Sequence, residues 1–152
     1  MKIGIIYYSI TGNTRFVAQK LRDFLVEQNN SVDLLEIQVE QNDPHPTVIE
    51  FIKQPKTTGF DVLVFASPVH GFQPSAVIKA YLFALEDLKH KDVVLFVTHH
   101  FPMAWMGGTG SLKQMKKIVE TRNGHVSRMH AINWSSKHRE ANIQALLEGF
   151  SS

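Results

Sequence analysis

Three apolar runs constrain this chain more than any other feature. Ile3-Gly4-Ile5-Ile6-Tyr7-Tyr8, Phe60-Asp61-Val62-Leu63-Val64-Phe65-Ala66 and Val93-Val94-Leu95-Phe96-Val97-Thr98 are apolar at nearly every position. A strand with one face in water alternates apolar and polar residues, so runs without alternation are covered on both faces, as in parallel sheets flanked by helices. Between the runs the period changes. Phe16, Val17, Leu21, Phe24 and Leu25, then Val77, Ile78, Tyr81, Leu82, Leu85 and Leu88, then Leu112, Met115, Ile118 and Val119 fall at helical spacing. Val32 to Val39 and Val126 to Ile132 add two strands, a short helix over Val48, Ile49, Phe51 and Ile52 closes at Pro55, and Ala141, Ile143, Leu146 and Leu147 give a last helix. Five strands alternating with five helices predict an α/β fold, a five-stranded parallel doubly wound sheet in three α/β/α layers.

The 152 residues, 43% of them hydrophobic, suit a single domain over residues 1–152. Without cysteine there is no disulfide, iron–sulfur cluster or thiolate zinc site, so any redox chemistry must come from a bound cofactor. The first strand begins at once and no apolar run has the length of a membrane span, which leads us to expect a soluble, cytoplasmic protein. Sixteen Lys and Arg against 14 Asp and Glu are too evenly balanced to imply nucleic acid. The charge is unevenly spread, with 6 basic and 8 acidic residues in positions 1–76 but 10 and 6 in positions 77–152.

Ser9-Ile10-Thr11-Gly12-Asn13-Thr14 joins the first strand to the first helix. A tight loop there collects free backbone N–H groups and the positive end of a helix dipole, a favourable place for a phosphate. Hydroxyls from Ser9, Thr11 and Thr14 and the Asn13 amide stand beside those groups, and Gly12 lets the backbone approach closely. Thr11 acting only as a helix cap would account for one hydroxyl, not for four polar side chains and a glycine in six positions. Neither the Walker pattern nor the three-glycine dinucleotide fingerprint is present, and the loop has no Lys.

This loop resembles the Ser/Thr-x-Thr-Gly-x-Thr phosphate loop of flavodoxins at every fixed position, and it stands directly after the first strand as it does in that family. The resemblance implies strand order 2-1-3-4-5 and flavin mononucleotide (FMN) as cofactor, its phosphate held by hydroxyls and amides without a cationic side chain. It also implies that the loops after strands one, three and four meet at the carboxyl edge of the sheet. The second of these, Ser67-Pro68-Val69-His70-Gly71-Phe72-Gln73-Pro74, is similar to the family's Ser-Pro-x-x-Gly loop. Its glycine peptide could turn a carbonyl toward the ring nitrogen that gains hydrogen on one-electron reduction. The third runs from Thr98 and His99 through Phe101, Trp105 and Gly107. Phe101 or Trp105 could cover one face of the ring, and His70 or Phe72 the other. The fifth strand lacks the long insertion of larger flavodoxins, so the resemblance is to short-chain members.

Eight histidines raise the question of a metal, but His99 and His100 are adjacent and point apart on extended backbone, with no further ligand at helical spacing. No metal site is expected; His70, His99 or His100 instead lines the flavin pocket and tunes the ring. The leading functional expectation is an electron carrier between redox partner proteins, a reductase on one side and an acceptor on the other, with no catalytic side chain. The sequence pI of about 8.9 departs from the acidic habit of many flavodoxins. Lys113, Lys116 and Lys117 form a basic helix face suited to an acidic partner or to the phosphates of NAD(P)H. The alternatives are an NAD(P)H-dependent FMN or quinone reductase and a non-redox flavin-binding regulatory module. A receiver-type signalling domain would need acidic residues where this chain has Tyr8-Ser9 and Ser67-Pro68.

Overall fold

A computed structural model of the chain describes residues 1–100 and 108–151. Its main sheet is built on β1 (Lys2–Tyr7), flanked by β2 (Ser31–Glu36) on one side. On the other side follow β5 (Val62–His70), β7 (Asp92–His99) and β8 (His125–Asn133), each paired in parallel with the next. The resulting order β2-β1-β5-β7-β8 is the expected 2-1-3-4-5 when only these five strands are counted. The order reverses between β1 and β5, so the crevice at their carboxyl ends is where an open α/β sheet binds a ligand.

Side-chain alternation on the strands divides the core in two. Ile3, Ile5, Val62, Val64, Val94 and Phe96 face helices α1 (Asn13–Glu27) and α4 (Arg139–Glu148), through Val17, Leu21, Leu25, Ile143 and Leu146. Ile6, Leu63, Phe65, Val93, Leu95 and Val97 face α2 (Ala76–Phe83) and α3 (Gly108–Thr121), through Ile78, Tyr81, Leu82, Met115 and Val119. All these residues are buried, which is why the runs lack alternation. Gly4 falls beneath the Phe60 ring, where a Cβ would come within 2.9 Å of it. The strand therefore needs glycine there.

Three sequence expectations require correction. No helix covers Val48 to Ile52; instead β4 (Phe51–Lys53) pairs antiparallel with β3 (Gln38–Val39). Ile49 and Phe51 pack on the core while Val48 and Ile52 are exposed, so the segment follows period two. Four helices, not five, then flank the sheet among the described residues, and a strap over residues 37–60 stands in for the missing one. Second, the expected second strand divides: β2 ends at Glu36, with the Ile37 N–H to Tyr7 carbonyl bond at 2.8 Å as the last rung on β1, and Gln38–Val39 joins a separate two-stranded sheet. Third, α2 ends at Phe83, and Leu88 reaches the core from the next loop, its N–H held by the Arg122 carbonyl at 2.8 Å. No helix among the described residues is long and apolar enough to cross a membrane.

Candidate cofactor-binding site

The loop after β1 closes on itself through Ser9. The buried Ser9 Oγ accepts the N–H groups of Gly12 at 3.2 Å and Arg15 at 3.3 Å. Gly12 is the residue that starts α1, in a left-handed conformation with φ 97°, and no side chain caps the helix there. Thr11 is exposed and is not the cap; Ile10 packs on the α2/α3 side of the core. Among the described residues a Cβ on Gly12 would meet nothing within 4 Å. Among the described residues no acceptor lies on the N–H groups of Asn13 and Thr14, and the first turn of α1 contains no acidic residue. Donors, a helix N-terminus and room above a glycine are what an anionic group requires.

The third loop meets the first directly. The buried Thr14 Oγ1 lies 2.8 Å from the buried Thr98 Oγ1, and either hydroxyl can be the donor. Asn13 Nδ2 stands 3.2 Å from Nε2 of His100, whose Nδ1 is 3.0 Å from Ser135 Oγ in the loop after β8. That fourth loop is fixed on α1 because Trp134 packs edge-on against Phe16, with ring centres 5.6 Å apart. His99 is buried against Gly108, where a Cβ would lie 3.2 Å from the imidazole and from Ala131 Cβ, so a larger residue at the start of α3 would press on both. Phe101, Trp105 and Gly107 lie outside the described residues.

The second loop is shorter than the sequence suggests. β5 continues through Ser67, Pro68, Val69 and His70, turns at Gly71 and Phe72, and returns as β6 (Gln73–Pro74). Gly71 and Phe72 have φ of 57° and 64°, a two-residue hairpin turn with both residues left-handed. Ser67 is fully buried beneath the hairpin; its Oγ accepts the Ser75 N–H at 3.1 Å and lies 2.8 Å from Ser75 Oγ, which in turn caps α2. Its hydroxyl thus serves the hairpin's attachment.

His45, from the strap, lies over the turn, with its Cε1 3.5 Å from where a Gly71 Cβ would be. His45, His70, Gly71, Gln73 and Lys79 line a hollow of about 340 Å³. His70 Nδ1 is buried without a hydrogen-bond partner among the described residues. Burial, and then the nearby His45, push the His70 pKa below its ordinary value. Beside the first loop, Arg15 pairs with Glu36 and donates to Tyr7 Oη at 3.3 Å, while Tyr8 Oη donates to Asn42 at 3.1 Å. Burial, and then Asp43 and Glu36, raise the Tyr8 pKa, so its phenol stays neutral. The sequence reading omitted Ser135 and His45. Both lie in connections that no motif marks.

Neither a family model nor a curated protein sequence matches the chain. Solved structures do. Oxidised Flavodoxin 1 from Bacillus cereus is 15% identical over 100% of both chains, with a TM-score of 0.68. The Trp repressor binding protein from Bacillus subtilis is 13% identical over 97% of this chain and 99% of that one, with a TM-score of 0.69. A flavoprotein in complex with FMN from Lactobacillus acidophilus NCFM is 15% identical over 93% and 97% of the two chains, with a TM-score of 0.61. At these identities the likeness is one of fold, and the fold is flavodoxin-like.

Proposed function

We propose that this flavodoxin-like chain binds FMN at the carboxyl edge of β1 and β5 and passes electrons between redox partner proteins. The observation that carries the reading is the first loop: Gly12 left-handed, with nothing within 4 Å of a Cβ built on it, and the Asn13 and Thr14 N–H groups at the head of α1 without acceptors, both among the described residues. The residues fit the cofactor's phosphate. Those two N–H groups and the exposed Thr11 hydroxyl would hold it, while Ser9 keeps the loop in shape through Gly12 and Arg15. The hairpin tip at Gly71 and Phe72, with Thr98 and His99 on the neighbouring strand, would border the ring. FMN, when bound, supplies the one- and two-electron chemistry, and the polypeptide supplies orientation, exclusion of water and electrostatics. The FMN complex among the similar structures supports the choice of cofactor.

A second reading is an NAD(P)H-dependent FMN or quinone reductase. The hollow lined by His45, His70 and Lys79 beside the hairpin tip favours it, since an enzyme needs space for a second substrate. One experiment tests both. The purified protein is titrated with FMN and then reduced anaerobically in steps. Uptake of one FMN per chain and reduction in two separate one-electron steps are expected. A single two-electron step, with oxidation of NAD(P)H in the absence of any partner protein, would replace the carrier with the reductase. Failure to take up FMN removes the cofactor assignment.

A further inference from the structure

We propose that His100 supplies the positive charge that the phosphate loop lacks, and so sets selectivity for a phosphorylated flavin over its dephosphorylated form. The inference rests on the FMN reading. The loop contains no Lys, and its one Arg, Arg15, is turned to Glu36 and Tyr7. A helix N-terminus contributes only about half an elementary charge toward a phosphomonoester that carries nearly two. His100 is the imidazole placed to make up part of the difference. Thr98, two residues before it, is tied to Thr14 at 2.8 Å, which holds the end of β7 against the head of α1. From there His100 Nε2 reaches the Asn13 amide at 3.2 Å, and Ser135 Oγ holds Nδ1 at 3.0 Å.

These two contacts orient the ring and also make it a switch. When Asn13 Nδ2 donates, Nε2 is the unprotonated nitrogen and Nδ1–H donates to Ser135. Protonation at Nε2 ends the acceptance from Asn13 and leaves an N⁺–H donor at the loop, available to an oxyanion. The neighbours do not neutralise that charge. The contacts of His100 among the described residues are the uncharged Asn13 of α1 and Ser135 of the loop after β8; Lys137 and His138 follow in that loop, and Arg139 and Glu140 open α4. No carboxylate hydrogen-bonds to His100 among the described residues. Arg139 is occupied over the Trp134 ring at 4.6 Å.

The test measures dissociation constants for FMN and riboflavin at pH 6.0 and pH 8.5, in the wild-type chain and in His100→Gln. Glutamine keeps hydrogen bonding to Asn13 and Ser135 but cannot carry charge. Its profile therefore reports the phosphate's own ionisation. At pH 6.0 the wild-type chain should bind FMN about tenfold more tightly than His100→Gln, the worth of one charge-assisted hydrogen bond at the low end of its range. That advantage should shrink at pH 8.5, and riboflavin affinity should be the same in both proteins. Equal FMN affinities at pH 6.0, or equal losses for FMN and riboflavin, would overturn the role of His100 while leaving the cofactor assignment intact. A wild-type chain that binds neither flavin at either pH would overturn the cofactor reading and this inference with it.

Discussion

The two ends of the candidate site differ in how fully their polar side chains are matched. At the first loop, Ser9 takes two backbone N–H groups, the Thr14 and Thr98 hydroxyls pair at 2.8 Å, and His100 spans Asn13 and Ser135. At the hairpin, His70 Nδ1 is buried without a partner among the described residues, Phe72 is held at φ 64°, and His45 lies over the turn. Matched groups fix a geometry before a ligand arrives. Strain and an unmatched buried nitrogen hold a segment in a state that some further group must justify. On the proposed reading, the loop would hold the cofactor and the hairpin would border the part of it that changes.

The largest effect should come from breaking the matched end. Thr14→Val leaves the buried Thr98 hydroxyl without a partner and should cost about 1–3 kcal/mol of stability, read from denaturant unfolding. Replacing both threonines by valine removes donor and acceptor together and should recover most of that loss. A double variant no more stable than the single one would mean that the pair is not what joins α1 to β7. FMN affinity should fall much less than in a variant of the exposed Thr11, because the Thr14 hydroxyl is already engaged.

The same contrast explains which features could be read from the sequence. The three central strands were legible because runs such as Val62 to Ala66 are apolar on both faces, and only a sheet covered on both sides accepts them. The first loop stood out because its polar residues and its glycine are consecutive, and the structure places them where β1 meets α1. Val48-Ile49-Glu50-Phe51-Ile52 was not, since apolar residues at 48, 49, 51 and 52 fit a helical face and a strand alike. The hairpin was hidden for a different reason. Two-residue turns of this kind favour Asn-Gly, whereas here the bulky residue comes second, and Pro68 and Pro74 argue for irregular backbone. Long-range contacts were invisible altogether: Ser135 reaches His100 from 35 residues away, and no local pattern encodes that distance.

A smaller effect, of opposite sign at the two levels, is expected at the hairpin tip. Phe72 is half exposed and left-handed, a conformation costing a non-glycine residue about 1–2 kcal/mol. Phe72→Gly relieves that strain but adds about 0.5–1 kcal/mol for the freedom of glycine in the unfolded chain, so stability should rise slightly. FMN binding should weaken by about 1 kcal/mol, the worth of an aromatic contact beyond buried area. Thermal melting and FMN titration of this variant sharpen the comparison. Lower stability with unchanged FMN affinity would make Phe72 an ordinary turn residue and remove the case for strain serving the cofactor.

The smallest effect is that of acid on the unmatched histidine. Burial first, and then His45, lower the His70 pKa below the ordinary 6.5; burial first, and then Arg128, do the same to His130 at the far edge of the sheet. A histidine of depressed pKa takes up a proton in the unfolded chain before it does so in the folded one. Its contribution to stability is complete above about 6.5 and is lost as pH falls through the folded value. Melting temperature should therefore drop between pH 7 and pH 5. Neither histidine is fully buried, which limits the size of the drop. Glu36 acts in a lower window: burial raises its pKa, but the Arg15 and Gln38 hydrogen bonds outweigh that and hold it below the ordinary 4.5, so its contribution is lost only at more acid pH. His70→Gln should flatten part of the pH 7 to 5 slope and His130→Gln another part, leaving the drop below pH 4.5 in place. If His70→Gln left the slope unchanged while His130→Gln removed it, the hairpin would hold no unfavourable nitrogen, and the difference between the two ends would reduce to the backbone of Gly71 and Phe72.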